Sequence, residues 1–271
     1  MAQQLDQRYQ FGQLLRGWRQ DRGVSQLALA SGAEVSSRHL SFVETGRSAP
    51  SRSLVLRLAG YLDVPLRGRN ELLLAAGFAP EFSESPLDAP GLSMVALAIR
   101  QVLTGHNPYP ALVVDRGWNL VEANASMDLL IGDVPDELAT EPFNVLRYSL
   151  HPAGLARRIR NLDQWRDHVL GRLDREVRAT ADAGLAELHR ELAGYPGAEA
   201  GAGGGPDGGG GRAATGVVVP LRLRHKDREL SLFSTTTLFG TPNDVTVEEL
   251  AIESFYPADP ESAEYLRSVT P

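Results

Sequence analysis

The sequence predicts an α+β protein, with a first block of five short helices and a larger second block that mixes helices with an antiparallel sheet. Three observations carry that reading. In the first 80 residues apolar side chains recur at helical spacing. Between 79 and 90 prolines and acids interrupt every pattern. After 110 several runs rich in Val, Thr, Leu and Phe show partial alternation. The chain has 271 residues, 42% hydrophobic and 23% charged, which suffices for one large or two small cores and is too apolar for a disordered chain.

Phe11, Leu14, Leu15 and Trp18 stand at i, i+3, i+4, i+7 and predict one buried face of a first helix, with Arg16 and Arg19 outward. Ser25 is a natural cap for a second helix burying Leu27, Ala30 and Ala33, and Ser36 for a third with Leu40 and Val43 inward, stopped at Thr45-Gly46. A fourth follows Pro50-Ser51 and turns Leu54, Leu58, Tyr61 and Leu62 inward; a fifth runs from about Arg67 to Ala76, with Gly77 as its left-handed stop. The expected division is residues 1–79, a linker at 80–91 and a second domain at 92–271. In the second domain the sequence predicts a helix at 92–105, strands at 111–115 and 118–122, and a helix at 123–131. A long helical stretch at 152–193 and three antiparallel strands at 216–224, 229–238 and 245–256 complete it.

Residues 201–211 hold eight glycines, and the whole of 197–214 reads as a flexible loop. Gly203, Gly205 and Gly208 match G-x-G-x-x-G in letters only. No strand precedes them and no helix follows, so the backbone N–H groups have no fixed geometry around a pyrophosphate. With no cysteine, no secretory pattern and no apolar run near the roughly 18 residues that span a bilayer, the expected compartment is the cytoplasm, without membrane insertion. The six histidines (39, 106, 151, 168, 189, 225) form no H-x-x-x-H or H-E-x-x-H pair, and no G-x-S-x-G elbow occurs. Asp163 with Asp167, and Asp174 with Arg178, are spaced as a solvated helix face spaces them. The expectation is therefore no enzyme, no metal and no cofactor.

The net charge of −7 conceals an asymmetry, because residues 1–80 carry +4 and the remainder −11. Inside the basic block, Gln26, Ala30, Glu34, Ser37 to Ser41 and Val43 have the spacing of two helices joined by a tight turn. The third helix would present a polar, small-rimmed face to a DNA major groove. Through Ser25-Gln26-Leu27, Val35 to Ser41, Glu44-Thr45-Gly46-Arg47 and Pro50-Ser51, residues 11–77 resemble the Xre-type helix-turn-helix family. One departure is Glu34, at the turn position usually held by Gly, where a left-handed backbone costs a non-glycine residue roughly 1 kcal/mol. By its spacing the third helix can bring Ser37, Arg38 and Ser41 to base edges, Arg38 otherwise standing as a solvated surface charge. The resemblance implies that Gln26 and Ser37 touch backbone and bases and that Thr45, Arg47 and Arg52 meet phosphates of a double-stranded operator. His39 either packs beside Trp18 or reaches a phosphate. One short recognition helix makes few base contacts, so a homodimer on two half-sites is expected.

Five further stretches resemble the ligand-binding domain of MmyB-like regulators, whose core is similar to a PAS fold. They are Tyr109 to Asp115, Trp118 to Asn124, Asn144 to Arg147 with Leu150-His151-Pro152, Phe239 to Thr246 and Phe255 to Asp259. The resemblance implies a sensor cavity for a lipophilic, fatty-acid-like molecule in a transcription regulator, more readily a repressor than an activator. A cavity between a curved sheet bearing Val113, Leu120, Phe233, Phe239 and Phe255 and helices bearing Leu146, Leu150 and Trp165 fits that implication, though for any single one of these residues a place in an ordinary filled core is the favoured reading. Asn124, Arg147 and His151 are the polar exceptions, each able either to orient a head group or to satisfy loop backbone. Arg147 is the expected carboxylate partner, because a guanidinium keeps its charge when desolvated. Two rivals are an enzyme or cofactor binder fused to the same DNA reader, marked by turnover or a copurifying nucleotide, and an antitoxin-like interaction module, marked by a copurifying protein.

Overall fold

A computed structural model describes residues 2–197 and 218–269, so the glycine-rich loop expected at 197–214 lies, apart from Gly197, outside the described residues. The chain divides into two compact units. One comprises residues 1–86 with 178–180 and 241–248, and the other the remaining residues up to 271. The architecture is the expected α+β class, helical in the first unit and built on an antiparallel sheet in the second.

Within residues 1–86 the described part of the first unit has five helices, α1 (Ala2–Asp21), α2 (Gln26–Gly32), α3 (Ser37–Glu44), α4 (Arg52–Tyr61) and α5 (Leu66–Ala75). Three serine caps set the starts of α2, α3 and α4. Ser25, Ser36 and Ser51 accept from the backbone N–H groups of Ala28, His39 and Leu54 at 3.1, 3.1 and 3.2 Å. Pro65 offers α5 no such cap, and the Glu248 carboxylate accepts from Leu66 N at 2.7 Å instead. Glu34 takes the left-handed backbone, with φ 55°, that the turn between α2 and α3 demands.

Phe11, Leu15 and Trp18 are buried as expected, but Leu14 is 41% exposed. On α2 the inward residue is Leu29, not Leu27, which is 70% exposed. The short helix turns its Leu29, Ala30 and Ala33 side to the core, and Leu27 lies two residues, some 200°, away from Leu29. Tyr61 is likewise on the outer side, its ring lying where a Cβ on Gly32 would stand, only 1.9 Å away. Arg19 does not point outward. Its guanidinium pairs with both oxygens of buried Glu44 at 2.7 and 3.0 Å and donates to the Val24 carbonyl at 3.0 Å, while Gln26 Nε2 donates to Glu44 at 2.8 Å. These bonds pin α1, the turn before α2, and α2 to the C-terminal end of α3. Close approach of α1 to α3 also requires Gly12, where a Cβ would meet the Glu44 carbonyl oxygen at 2.4 Å.

The second unit contains α6 (Ser93–Gly105), β1 (Ala111–Val114), β2 (Leu120–Ala123), α7 (Asp128–Ile131), α8 (Val145–Leu150), α9 (Leu162–Thr180), α10 (Ala183–Ala193), β3 (Leu221–His225), β4 (Arg228–Leu238) and β5 (Ala251–Pro257), ending in the helix Pro260–Val269. The strands form one antiparallel sheet in the order β2-β1-β5-β4-β3. Both faces of its centre are covered. Ala111, Val113, Leu250 and Ile252 pack with Ile99 and Leu103 of α6, while Leu112, Val114, Leu221, Leu223 and Leu232 join Leu146, Trp165 and Leu173 on the other side. That double burial makes β1 a run of four apolar residues rather than an alternating strand.

Three departures from the expected elements have local causes. The 152–193 stretch breaks at Ala181, which adopts a left-handed φ of 54° after α9, and Asp182 then caps α10. The strand expected from 245 begins only at Ala251, because Asp244 accepts from Thr246 N at 2.9 Å and starts the helical turn Val245–Glu248. The helix expected at 123–131 opens with a 3-10 turn at Ala125–Met127, since Asn124 is committed to backbone bonds.

Removing the negative charge from the bracket should loosen the first unit. Glu44→Gln leaves Arg19, whose side chain is 12% exposed, without its counter-charge and is expected to cost about 3 kcal/mol. Hydrogen exchange on the full chain checks this through the protection of α1 and α3 amides, which should fall by that amount; protection unchanged within about 0.5 kcal/mol would contradict it.

Candidate functional site

Two surfaces follow from this architecture, a polar helix face in the first unit and an apolar cavity in the second. On α3, Ser37 and Arg38 are exposed in the first turn, Ser41 is half-buried one turn on, and Thr45 and Arg47 are exposed just past the end. Phe42 organises this face, with the Arg38 and Arg47 guanidinium groups over its ring at 5.4 and 5.9 Å. Thr45 Oγ1 donates to the Ser41 carbonyl at 2.8 Å, and Arg52, at the start of α4, pairs with Glu81 at 2.7 Å. His39 is half-buried without a ring contact to Trp18, which carries Arg22 over its face at 5.3 Å. Gln26 begins α2 with its amide nitrogen turned to Glu44.

The cavity lies between the sheet and helices α7, α8 and α9, and encloses about 760 Å³ including its opening to solvent. Leu112, Trp118, Met127, Leu130, Phe143, Leu146, Trp165, Val169, Leu221 and Phe255 supply apolar wall. Its few polar groups are Ser149, His168, Arg172, Ser234 and Glu253. Ser149 accepts from Trp165 Nε1 at 3.0 Å, and the Trp165 ring stacks on His168 at 5.4 Å. Burial, then the positive charges of Arg172 and Arg175, hold the His168 pKa below its ordinary value, so this imidazole is neutral near pH 7.

Arg172 is the centre of the polar end. It projects from α9, donates to Glu253 of β5 at 2.7 Å and to Glu176 at 3.1 Å, and lies 4.4 Å above the Trp118 ring. Trp118 Nε1 donates in turn to Glu176 at 2.8 Å, and Thr236 Oγ1 donates to Glu253 at 2.7 Å.

Of the residues that the sequence nominated for the cavity, Leu146, Trp165 and Phe255 line it. Leu150 and Leu120 belong to the surrounding core without reaching the wall. Val113 and Phe239 pack on the α6 side of the sheet, and Phe233 stacks on Tyr256 at 5.3 Å on that same side. Strand geometry is the reason: Ser234 lines the cavity, so its neighbour Phe233 must point the other way, as Val113 must beside Leu112.

The polar nominees are engaged elsewhere. Asn124 accepts from Ala111 N at 3.0 Å and donates to the Tyr109 carbonyl at 2.8 Å, fastening the end of β2 to the start of β1. His151 Nδ1 accepts from Ala153 N at 3.2 Å, and its ring meets Tyr195 edge-on at 5.1 Å. Arg147 is outside the cavity lining because α8 turns it toward α10, where it forms a two-pronged pair with Glu191 at 2.7 and 2.8 Å. Tyr195 also donates to Glu191 at 2.6 Å, and burial together with that bond pushes its hydroxyl pKa up to about 12. The polar groups that sequence reasoning missed are Ser149, His168, Arg172, Ser234 and Glu253. Arg172 follows Trp165 and Val169 at helical spacing, and Glu253 alternates with Ala251 and Phe255, so each is a polar break in an apolar stripe.

Comparison with known proteins agrees with this division. Residues 95–269 match the family described as the MmyB-like transcription regulator ligand binding domain, and residues 10–72 match a helix-turn-helix domain. These matches and the two folds define a DNA-binding transcription regulator with a ligand-binding domain. Within that class the chain belongs to the MmyB-like family. A search of curated proteins finds no match. Among solved structures, the restriction-modification controller protein C.AhdI from Aeromonas hydrophila is 34% identical over 23% of this chain and 94% of its own, with a TM-score of 0.22. The clp gene regulator ClgR from Corynebacterium glutamicum is 25% identical over 38% and 95%, with a TM-score of 0.24. An RNA-binding light-oxygen-voltage receptor is 14% identical over 96% of this chain and 64% of its own, with a TM-score of 0.27.

Proposed function

We propose that this regulator is a cytoplasmic repressor that binds its operator as a homodimer and senses a lipophilic small molecule, a fatty acid or related acyl compound. The observation that carries the reading is the apolar cavity between sheet and helices. Its wall is aliphatic and aromatic, with polar groups gathered at Arg172, and that division suits a chain with one polar end. Repression asks only that the helix face occupy the groove. Ser37, Arg38 and Ser41 are the proposed base-reading residues, and Thr45, Arg47 and Arg52, with Gln26 and His39 beside them, the proposed backbone contacts.

Two experiments test the two halves. Across a randomised operator library, Arg38→Ala should relax base preference, while Arg47→Ala should weaken all sequences alike and reduce the salt slope by about one unit. Identical behaviour of the two variants would contradict the assignment. In calorimetry on delipidated protein, straight-chain acyl compounds from C8 to C18 (a range chosen as roughly bracketing such cavities) should bind. Affinity should gain about 0.8 kcal/mol per added methylene until the cavity is full. Affinity independent of chain length would count against the cavity.

A further inference from the structure

The acyl-chain reading leaves the chemistry of the head group open, and the charges at the polar end bear on it. Arg172 is already answered by two carboxylates, Glu253 and Glu176. With His168 neutral, Arg172, Glu176 and Glu253 sum to one negative charge, and exposed Arg175, whose charge also reaches His168, offsets it, so the polar end is close to neutral overall. Among the residues lining the cavity no cation is left uncompensated, so an entering carboxylate would have to approach Glu253 and an entering ammonium would meet Arg172. Hydrogen-bonding capacity remains, however. Arg172 uses Nε and Nη2, and its Nη1 has no partner among the described residues. Glu253 accepts twice at Oε1, from Arg172 and Thr236, and its Oε2 has no partner among the described residues. Glu253 is only 4% exposed and lines the cavity, and no fully enclosed side-chain oxygen or nitrogen among the described residues lacks a partner. The space open to Oε2 is therefore the cavity itself. Arg172 and Glu253 both line the cavity and are bridged at 2.7 Å through Nη2 and Oε1, which leaves one donor, Nη1, and one acceptor, Oε2, on neighbouring side chains.

Resting on the acyl-chain reading, we propose that the cavity selects an uncharged head group that accepts one hydrogen bond and donates another, of which a primary carboxamide is the simplest, over a carboxylate. The carbonyl oxygen accepts from Arg172 and the N–H donates to Glu253, so both partners keep their charges paired and no lone pair or proton is stranded. An ester accepts without donating and leaves Glu253 unsatisfied. An ammonium head donates without accepting and leaves Arg172 so. Ser234, also on the wall, is half-exposed and neutral and does not alter the charge balance.

The test uses the delipidated full-length protein at pH 8, where fatty acids are ionised, and compares decanamide, decanoate, methyl decanoate and decylamine by calorimetry. Decanamide should bind at least tenfold more tightly than any of the other three. Glu253→Gln removes the repelling charge and should narrow or reverse the amide-over-acid preference, and the wild-type series is decisive even if that variant folds poorly. Decanoate binding as tightly as decanamide to the wild type would overturn the head-group inference while leaving the acyl-chain reading intact, provided that affinity still rises with chain length. An amide preference unchanged in folded Glu253→Gln would remove Glu253 from the recognition and also overturn the inference. Binding by none of the four would overturn both readings.

Discussion

The ion pair between Arg172 and Glu253 is the interaction on which the sensing unit depends. It ties α9 to β5 across the polar end of the cavity, and through Glu176 and the stacked Trp118 it also holds the β1–β2 turn. A buried pair is expensive to desolvate, and hydrophobic residues of similar volume often stabilise a core as well or better. Keeping one on an otherwise apolar wall therefore favours a task beyond stability. Its hydrogen-bond network is fully charge-assisted, so the helix and the strand are fixed relative to one another without filling the space between them.

A second bracket does the corresponding work for the DNA-reading unit. Glu44 sits at the end of α3, buried, and is claimed by Arg19 from α1 and Gln26 from α2. The face carrying Ser37, Arg38 and Ser41 therefore stands on a helix whose far end is locked from two sides, while its near end is fixed by Ser36. Phe42 then restrains Arg38 and Arg47 by stacking, which reduces the side-chain entropy they lose on meeting a nucleic acid.

Within the first 80 residues helix number, caps and stops were legible because they rest on local chemistry, namely a serine before each of three helices and Gly46 and Gly77 after two of them. Sidedness was less legible. Leu27 and Leu29 are equally apolar, and only tertiary packing of a seven-residue helix decides between them. The same holds for the cavity. Phe233 and Phe255 look alike in sequence, yet strand parity and register put Phe255 on the wall and Phe233 against Tyr256. Among the polar residues, Arg147 drew attention because it lies in a motif, and Asn124 and His151 for the same reason. Their side chains are used to hold turns and helices together. Arg172 and Glu253 carried a weaker signal, one charge on each of two apolar stripes 81 residues apart, and only the fold brings the two together.

The chain thus carries a helix-turn-helix domain and a ligand-binding domain with an apolar cavity, in one member of the MmyB-like family. The central claim is that the cavity has a small-molecule occupant. Mass spectrometry of the molecules released when the purified protein is denatured tests this most directly. The account predicts one dominant acyl-chain compound in near-stoichiometric amount, absent after delipidation. Release of a nucleotide or another hydrophilic cofactor in that amount, with no acyl compound, would contradict it.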